Sequence, residues 1–291
     1  MPGPGAVIDR TPRGAGAYVM AFGPGLMLAV FFLVPFGIML LVSVAEAVKG
    51  GAYNLVFDGS HYARFFTPFF GRVLAFSILI ALLTACICIT VGFPFTYALT
   101  RFGHRTQVVW LVFILAVLSL SEVIIGFSWS ILLSRTAGIS NLLVWLGLMS
   151  EPVAWYPGLV ALLCGLTYLG LPYTVLILYP PLSRLDPELP EAARMLGASP
   201  LRSFFTVVVP AMRPAIVATV IMLFVFTLGA YLLPQVLGRP QHWTLSVLIT
   251  DQAIFQSNLP FAAAMAIFLM VVSLALVVVT SRLNRRAMGS P

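Results

Sequence analysis

The apolar runs decide what this chain can become. Stretches 18–44, 73–91, 108–131, 159–178, 215–233 and 261–280 are each about twenty residues or longer, the length at which a helix crosses the roughly 30 Å hydrocarbon layer. Lipid offers backbone N–H and C=O groups no partner, so runs of this kind span as helices whose hydrogen bonds are internal. With 60% of residues apolar and only 9% charged, the chain departs from soluble domains, where about a quarter of residues are charged. The expected fold class is an all-α integral membrane protein with six transmembrane helices. The expected membrane domain is 18–284, with short tails at 1–17 and 285–291.

The first run invites a second reading. Ala45, Glu46 and Ala47 follow it like the small-residue cleavage site of a signal peptide. The apolar stretch is, however, longer than the ~7 to 15 residues of a signal core, which favours a retained first helix, bent at Pro24 and Pro35. After it, 49–72 is polar and aromatic, with a short surface helix expected near Tyr62 to Phe66. The third run is interrupted by Ser119, Ser121, Glu122 and Ser128. The segment 142–149 is too short to span and reads as a surface or re-entrant helix.

Six crossings put both termini on one side, and the basic residues choose which. With cytoplasmic termini the inside segments hold Arg10, Arg13, Arg101, Arg105, Arg184, Arg194, Arg202, Arg213, Arg282, Arg285 and Arg286. The outside segments hold Lys49, Arg64, Arg72, Arg135 and Arg239. This imbalance favours cytoplasmic termini, accounts for the net charge of +7, and leaves no need for a nucleic-acid partner.

One polar island stands between the fourth and fifth runs: residues 185–214, LDPELPEAARMLGASPLRSFFTVVVPAMRP. Asp186 is a helix cap, Pro187 the first helical residue, and Glu188 and Glu191 complement the helix dipole. Leu189, Ala192, Ala193 and Leu196 share one face, with Glu188, Glu191 and Arg194 on another. Gly197 ends this helix, and Ser199 with Pro200 starts another that runs through Phe204 and Phe205 towards Pro210. A small, partly apolar helix exposed between membrane segments suits a groove on another protein. The plainer reading is an amphipathic connector.

The run Glu191, Ala192, Ala193, Gly197, Ala198, Phe204, Val209 and Pro210 resembles the "EAA" loop in permease subunits of type I ABC importers. The resemblance implies that the loop is a coupling helix docking in a cleft of a cytoplasmic ATPase, with Glu191, Ala192, Ala193, Arg194, Leu196, Gly197 and Ala198 as coupling residues. Segment 121–148 and Phe32 to Phe36 (FLVPF) look like the spermidine/putrescine branch of those permeases, so similarity covers about 22–284. It further implies two ATP-binding subunits, a second related permease in a hetero- or homodimer, and a periplasmic or lipid-tethered binding protein. The setting implied is the bacterial inner membrane. ATP and Mg would then be used by the partner ATPase, with no cofactor bound by this chain.

The residues themselves agree that the chemistry lies elsewhere. Lys49 is the only lysine, flanked by Val48 and Gly50, so no phosphate loop ending in Lys-Ser or Lys-Thr exists. His61, His104 and His242 lie far apart, and Cys86, Cys88 and Cys164 sit in apolar runs without metal spacing. Glu122, expected in the outer half of the third crossing, is the leading candidate for a solute pathway. A carboxylate there costs about 2.5 to 3.5 kcal/mol and normally faces a cavity or a partner. Trp129, Tyr168, Tyr173 and Tyr231 are candidate pathway aromatics, since aromatic faces hold alkyl amines; helix packing is their other reading. Pro172 and Gly170 would loosen the fourth helix. A small solute, best guessed as a polyamine, is expected. The alternative class is a secondary transporter or channel using Glu122 as a proton or cation relay, and no catalytic constellation supports an enzyme.

Overall fold

The computed structural model describes residues 15–48, 53–136 and 138–288. It is helical almost throughout. Helix α1 (Ala15–Ser43) carries Pro24 and Pro35 inside it and lies along the last helix, with the side chains of its apolar span turned outward. All but the last three residues of the expected tail 1–17 lie outside the described residues, since α1 starts at Ala15.

Strands were not expected, yet β1 (Ala45–Ala47) and β2 (Tyr53–Phe57) pair antiparallel just beyond α1. The short helix expected near Tyr62 is α2 (Ser60–Ala63), which runs into a 3₁₀ turn, Arg64–Phe66. His61, buried against the hairpin, bonds through Nε2 to Ala45 O at 3.1 Å.

Helix α3 (Pro68–Thr100) has a proline in its first turn, where a missing N–H costs nothing, and Pro94 within it. It packs along α7 (Leu159–Ser183), and that pair is the spine of the molecule. The approach is close because small residues face each other: a Cβ on Gly92 would lie 2.7 Å from Thr174 Cγ2, and one on Gly170 2.7 Å from Cys88 Sγ.

The third run is not one helix. It divides into α4 (His104–Leu118) and α5 (Glu122–Leu132), bent by 92°. The cause is local: Ser121 is extended, and its Oγ accepts from Val123 N at 3.3 Å, so a fresh helix is capped there. Glu122 is therefore the first residue of α5, half-buried, and does not sit on the wall of a continuous span. Helix α6 (Ile139–Trp145) is the short element expected near 142–149.

After α7 come α8 (Glu188–Met195), α9 (Pro200–Ser203), a π-type turn Phe204–Val208, α10 (Val209–Ala211) and α11 (Arg213–Gly229). The fifth run was expected to reach Leu233. It stops at Gly229 because Ala230 is extended, and α12 (Leu232–Leu237) begins anew. Helix α13 (Leu245–Thr250) leads through a π-type turn, Asp251–Phe255, into α14 (Leu259–Met288), which carries helix past the expected tail boundary at 285. Among the described residues, four helices are long and apolar enough to span, or up to six if each bent pair counts as one crossing.

The core gathers where broken helices meet the spine. Ile80, Ile125, Leu162, Leu166, Leu233 and Leu237 join α3, α5, α7 and α12. Ser77 Oγ, donating to Val73 O, also accepts from Leu245 N at 2.8 Å, which fixes the start of α13 on α3.

Candidate functional site

The polar island folds as its residues direct. Asp186 Oδ1 accepts from Glu188 N at 2.9 Å, the side-chain cap expected of it, and Pro187 already has helical φ and ψ just ahead of the regular helix from Glu188. At the far end Gly197 has φ +88°, with Ala198 N donating to Ala193 O and Gly197 N to Arg194 O, both at 3.0 Å. This pair of bonds is a Schellman ending, which needs a residue in the left-handed region. Ser199 Oγ then accepts from Arg202 N at 3.3 Å, with Pro200 first in α9.

Two features turn the elbow into a unit with an inside and an outside. Outward, Met195 and Leu196 are each 90% exposed, a pair of large apolar side chains at the tip with Glu191 and Arg194 beside them. Inward, buried Ser203 donates to Pro190 O at 2.9 Å and ties α9 to α8. Ser203→Ala is expected to remove that tie at a cost of about 0.5 to 1.5 kcal/mol. Thermal unfolding in detergent checks this.

From there the contact passes into the membrane. The Phe204 ring lies 5.4 Å from that of Phe93 and 5.2 Å from that of Tyr97 on α3. Phe93, Leu178, Leu182, Val208 and Met212 form one buried cluster. A push on α8 thus bears on α3, α7 and α11 together, since packed cores transmit displacement. Ser203 escaped the sequence reading because a mid-helix serine carries no signal of its partner; Phe204 was visible as part of the loop.

The proposed pathway residues separate into two groups. Glu122 and Tyr231 line one cavity of about 440 Å³ with Val225, Phe226, Gly229 and Ala230, where the α4/α5 and α11/α12 breaks meet. Tyr173 touches this group through Phe226, ring to ring at 4.9 Å. Trp129 and Tyr168 instead face each other at 5.9 Å and pack on the core of α3, α5, α7 and α12, and Tyr168 also lines a separate cavity of about 300 Å³ between α3, α4 and α7. No group of three metal-ligating side chains occurs among the described residues.

The model of the family described as binding-protein-dependent transport system inner membrane component matches residues 88–288, well over half of the chain. The chain belongs to that family. It is the permease component of an ABC importer, a non-catalytic, multi-pass inner-membrane subunit. The matched span contains both the α8–α9 elbow and the Glu122 cavity. The chain is 28% identical over 232 residues to the spermidine/putrescine transport system permease protein PotB of Escherichia coli K12, covering 80% of this chain and 84% of that one. To the PotB of Haemophilus influenzae it is 26% identical over 255 residues, covering 88% and 89%. The permease fold is shared with a bacterial alginate ABC transporter solved with an alginate pentasaccharide-bound periplasmic protein, at TM-score 0.74 and 16% identity over 94% of this chain and 95% of that one. The MetNI methionine ABC transporter gives TM-score 0.57 and 18% identity over 74% and 94%. Family membership sets aside the secondary-transporter reading of Glu122.

Proposed function

We propose that this permease imports a small amine, with a polyamine as the best candidate, and that α8 with its Gly197 ending takes the stroke of a separate ATPase. The reading rests chiefly on one observation: an exposed apolar tip, Met195 and Leu196, joined through Ser203 and Phe204 to the buried cluster of α3, α7 and α11. Such a tip costs solvation when bare and is covered when a groove receives it. In this scheme both termini and the elbow are cytoplasmic. Two ATP-binding subunits use ATP and Mg, a second related permease completes the pathway as a heterodimer or homodimer, and a periplasmic or lipid-tethered binding protein delivers the solute.

The test is site-directed crosslinking in the assembled importer. Cysteine in place of Leu196 is expected to link to the ATPase, while cysteine at exposed Phe57 in the hairpin does not. No ATPase adduct from position 196, or labelling of that position by a reagent confined to the outside, would sink the assignment.

The amine is supported by the cavity chemistry. A carboxylate, Glu122, opposite the aromatic rings Phe226 and Tyr231 suits an alkylammonium, which takes both charge and ring contacts. The two PotB relatives carry the same solute class in their names. Glu122→Gln is expected to lower polyamine uptake about tenfold, the loss of one charge-assisted contact that is partly open to solvent. Solute affinity of the binding protein stays unchanged and Glu122→Asp retains part of the uptake. Equal uptake by wild type and Glu122→Gln removes the carboxylate from the pathway.

A further inference from the structure

A second cavity lies away from both of these regions, at the end of the molecule where α3 begins. Phe69, Arg72 and Phe76 of α3 face Gln241, His242 and Trp243 of the segment before α13 across about 550 Å³ of space. Phe76 and His242 stack at 5.7 Å and 19°, closing one wall.

Charge is distributed unevenly around it. Arg64 nearby lies over the Phe261 ring at 5.1 Å, and Arg239 donates through Nε to Pro157 O at 2.8 Å. Arg72, by contrast, has no hydrogen-bonding or ion-pair partner among the described residues, where the only ion pair is that of His61 with Asp58. His242 adds no charge at neutral pH, because burial and then Arg239 hold its pKa below the usual histidine value.

Depth identifies the occupant. Arg72 is in the second turn of α3, and from Val73 to Thr100 the helix carries no charged residue, so the guanidinium lies at the boundary of the hydrocarbon. Trp243 beside it is the residue type that settles at that boundary. An arginine at the mouth of an aromatic-lined, otherwise apolar cavity matches an amphiphile with a phosphate head and a hydrocarbon tail.

We propose that this cavity binds an anionic phospholipid of the adjoining leaflet, its phosphate on Arg72 and one acyl chain against Phe69, Phe76 and Trp243. The lipid braces the segment 238–244 against α3. Nothing in this proposal depends on the solute or on the ATPase contact.

The experiment is native mass spectrometry of the assembled importer released from detergent, with phosphatidylglycerol or phosphatidylcholine of matched chains added in turn. Wild type is expected to retain more phosphatidylglycerol. Arg72→Gln is expected to lower that retention about fivefold, the ratio that one basic residue facing an anionic leaflet provides, and Arg72→Lys to restore most of it. Trp243→Ala is expected to lower retention of both lipids. Unchanged retention in Arg72→Gln overturns the proposal. So does displacement of the lipid by glycerol phosphate, which marks a free-phosphate site. A photoreactive residue at Trp243 that labels the binding protein in place of lipid likewise refutes it.

Discussion

Gly197→Val is expected to abolish most uptake while leaving the permease folded and in the membrane. The position has φ +88°, and a Cβ there meets nothing within 4 Å, so steric overlap with neighbours plays no part. The cost is conformational: an L-residue in the left-handed region loses about 1 to 2 kcal/mol, most of all when it is β-branched. The chain relieves this by leaving that region, which breaks the bonds from Ala198 N to Ala193 O and Gly197 N to Arg194 O. Helix α8 then meets α9 at a different angle, and the Met195–Leu196 tip no longer presents itself in line with Phe204. Loss of a coupling energy of about 1 to 3 kcal/mol corresponds to a roughly 5- to 150-fold fall in coupled transport. In proteoliposomes, ATP hydrolysis should continue while solute entry collapses. Gly197→Asn, which tolerates the left-handed region, should retain most transport. Valine transporting as well as glycine would remove Gly197 from the coupling role.

The second large effect is on stability. In Gly92→Ala the new methyl would lie 2.7 Å from Thr174 Cγ2 and 3.2 Å from Thr174 Cβ. Thr174 cannot step aside easily: it is buried, β-branched within α7, and its hydroxyl donates to Gly170 O at 2.8 Å. The α3–α7 spine must therefore open, an overpacking cost of about 1 to 3 kcal/mol. A lowered unfolding temperature for Gly92→Ala, recovered in Gly92→Ala with Thr174→Ala, is the expected outcome. Additivity of the two substitutions would mean that they do not share the contact.

The elbow was readable from the chain because every signal in it is local. Asp186, Gly197, Ser199 and Pro200 act on backbone groups within a few residues of themselves, so their order in the sequence is also their order in space. The helix breaks were less readable. Ser121 and Ala230 lie inside apolar runs that are long enough to span, and hydropathy does not distinguish a continuous helix from two helices meeting at 92°. Ser119 and Ser121 are polar interruptions in their run, but a serine inside a membrane helix can equally bond back to its own turn. Glu122 consequently changed its setting, from the wall of a crossing to the first turn of α5 beside Tyr231. The hairpin of β1 and β2 escaped because its strands are only a few residues long and carry weak alternation.

The sequence by itself determined that this chain lives in a bilayer, that it is helical, and that it carries a capped, glycine-ended elbow between its fourth and fifth apolar runs. Those outcomes follow from the solvation of backbone groups and from short-range conformational preference, which act residue by residue. Only the tertiary structure decided which faces meet: that Gly92 accepts Thr174, that Ser203 holds Pro190, that Phe204 docks on Phe93 and Tyr97, and that Arg72 has no partner among the described residues. Within lipid every apolar side chain is equally well solvated, so hydropathy cannot choose among helix faces. Close packing and the pairing of a few buried polar groups make that choice, and both exist only once the helices are assembled.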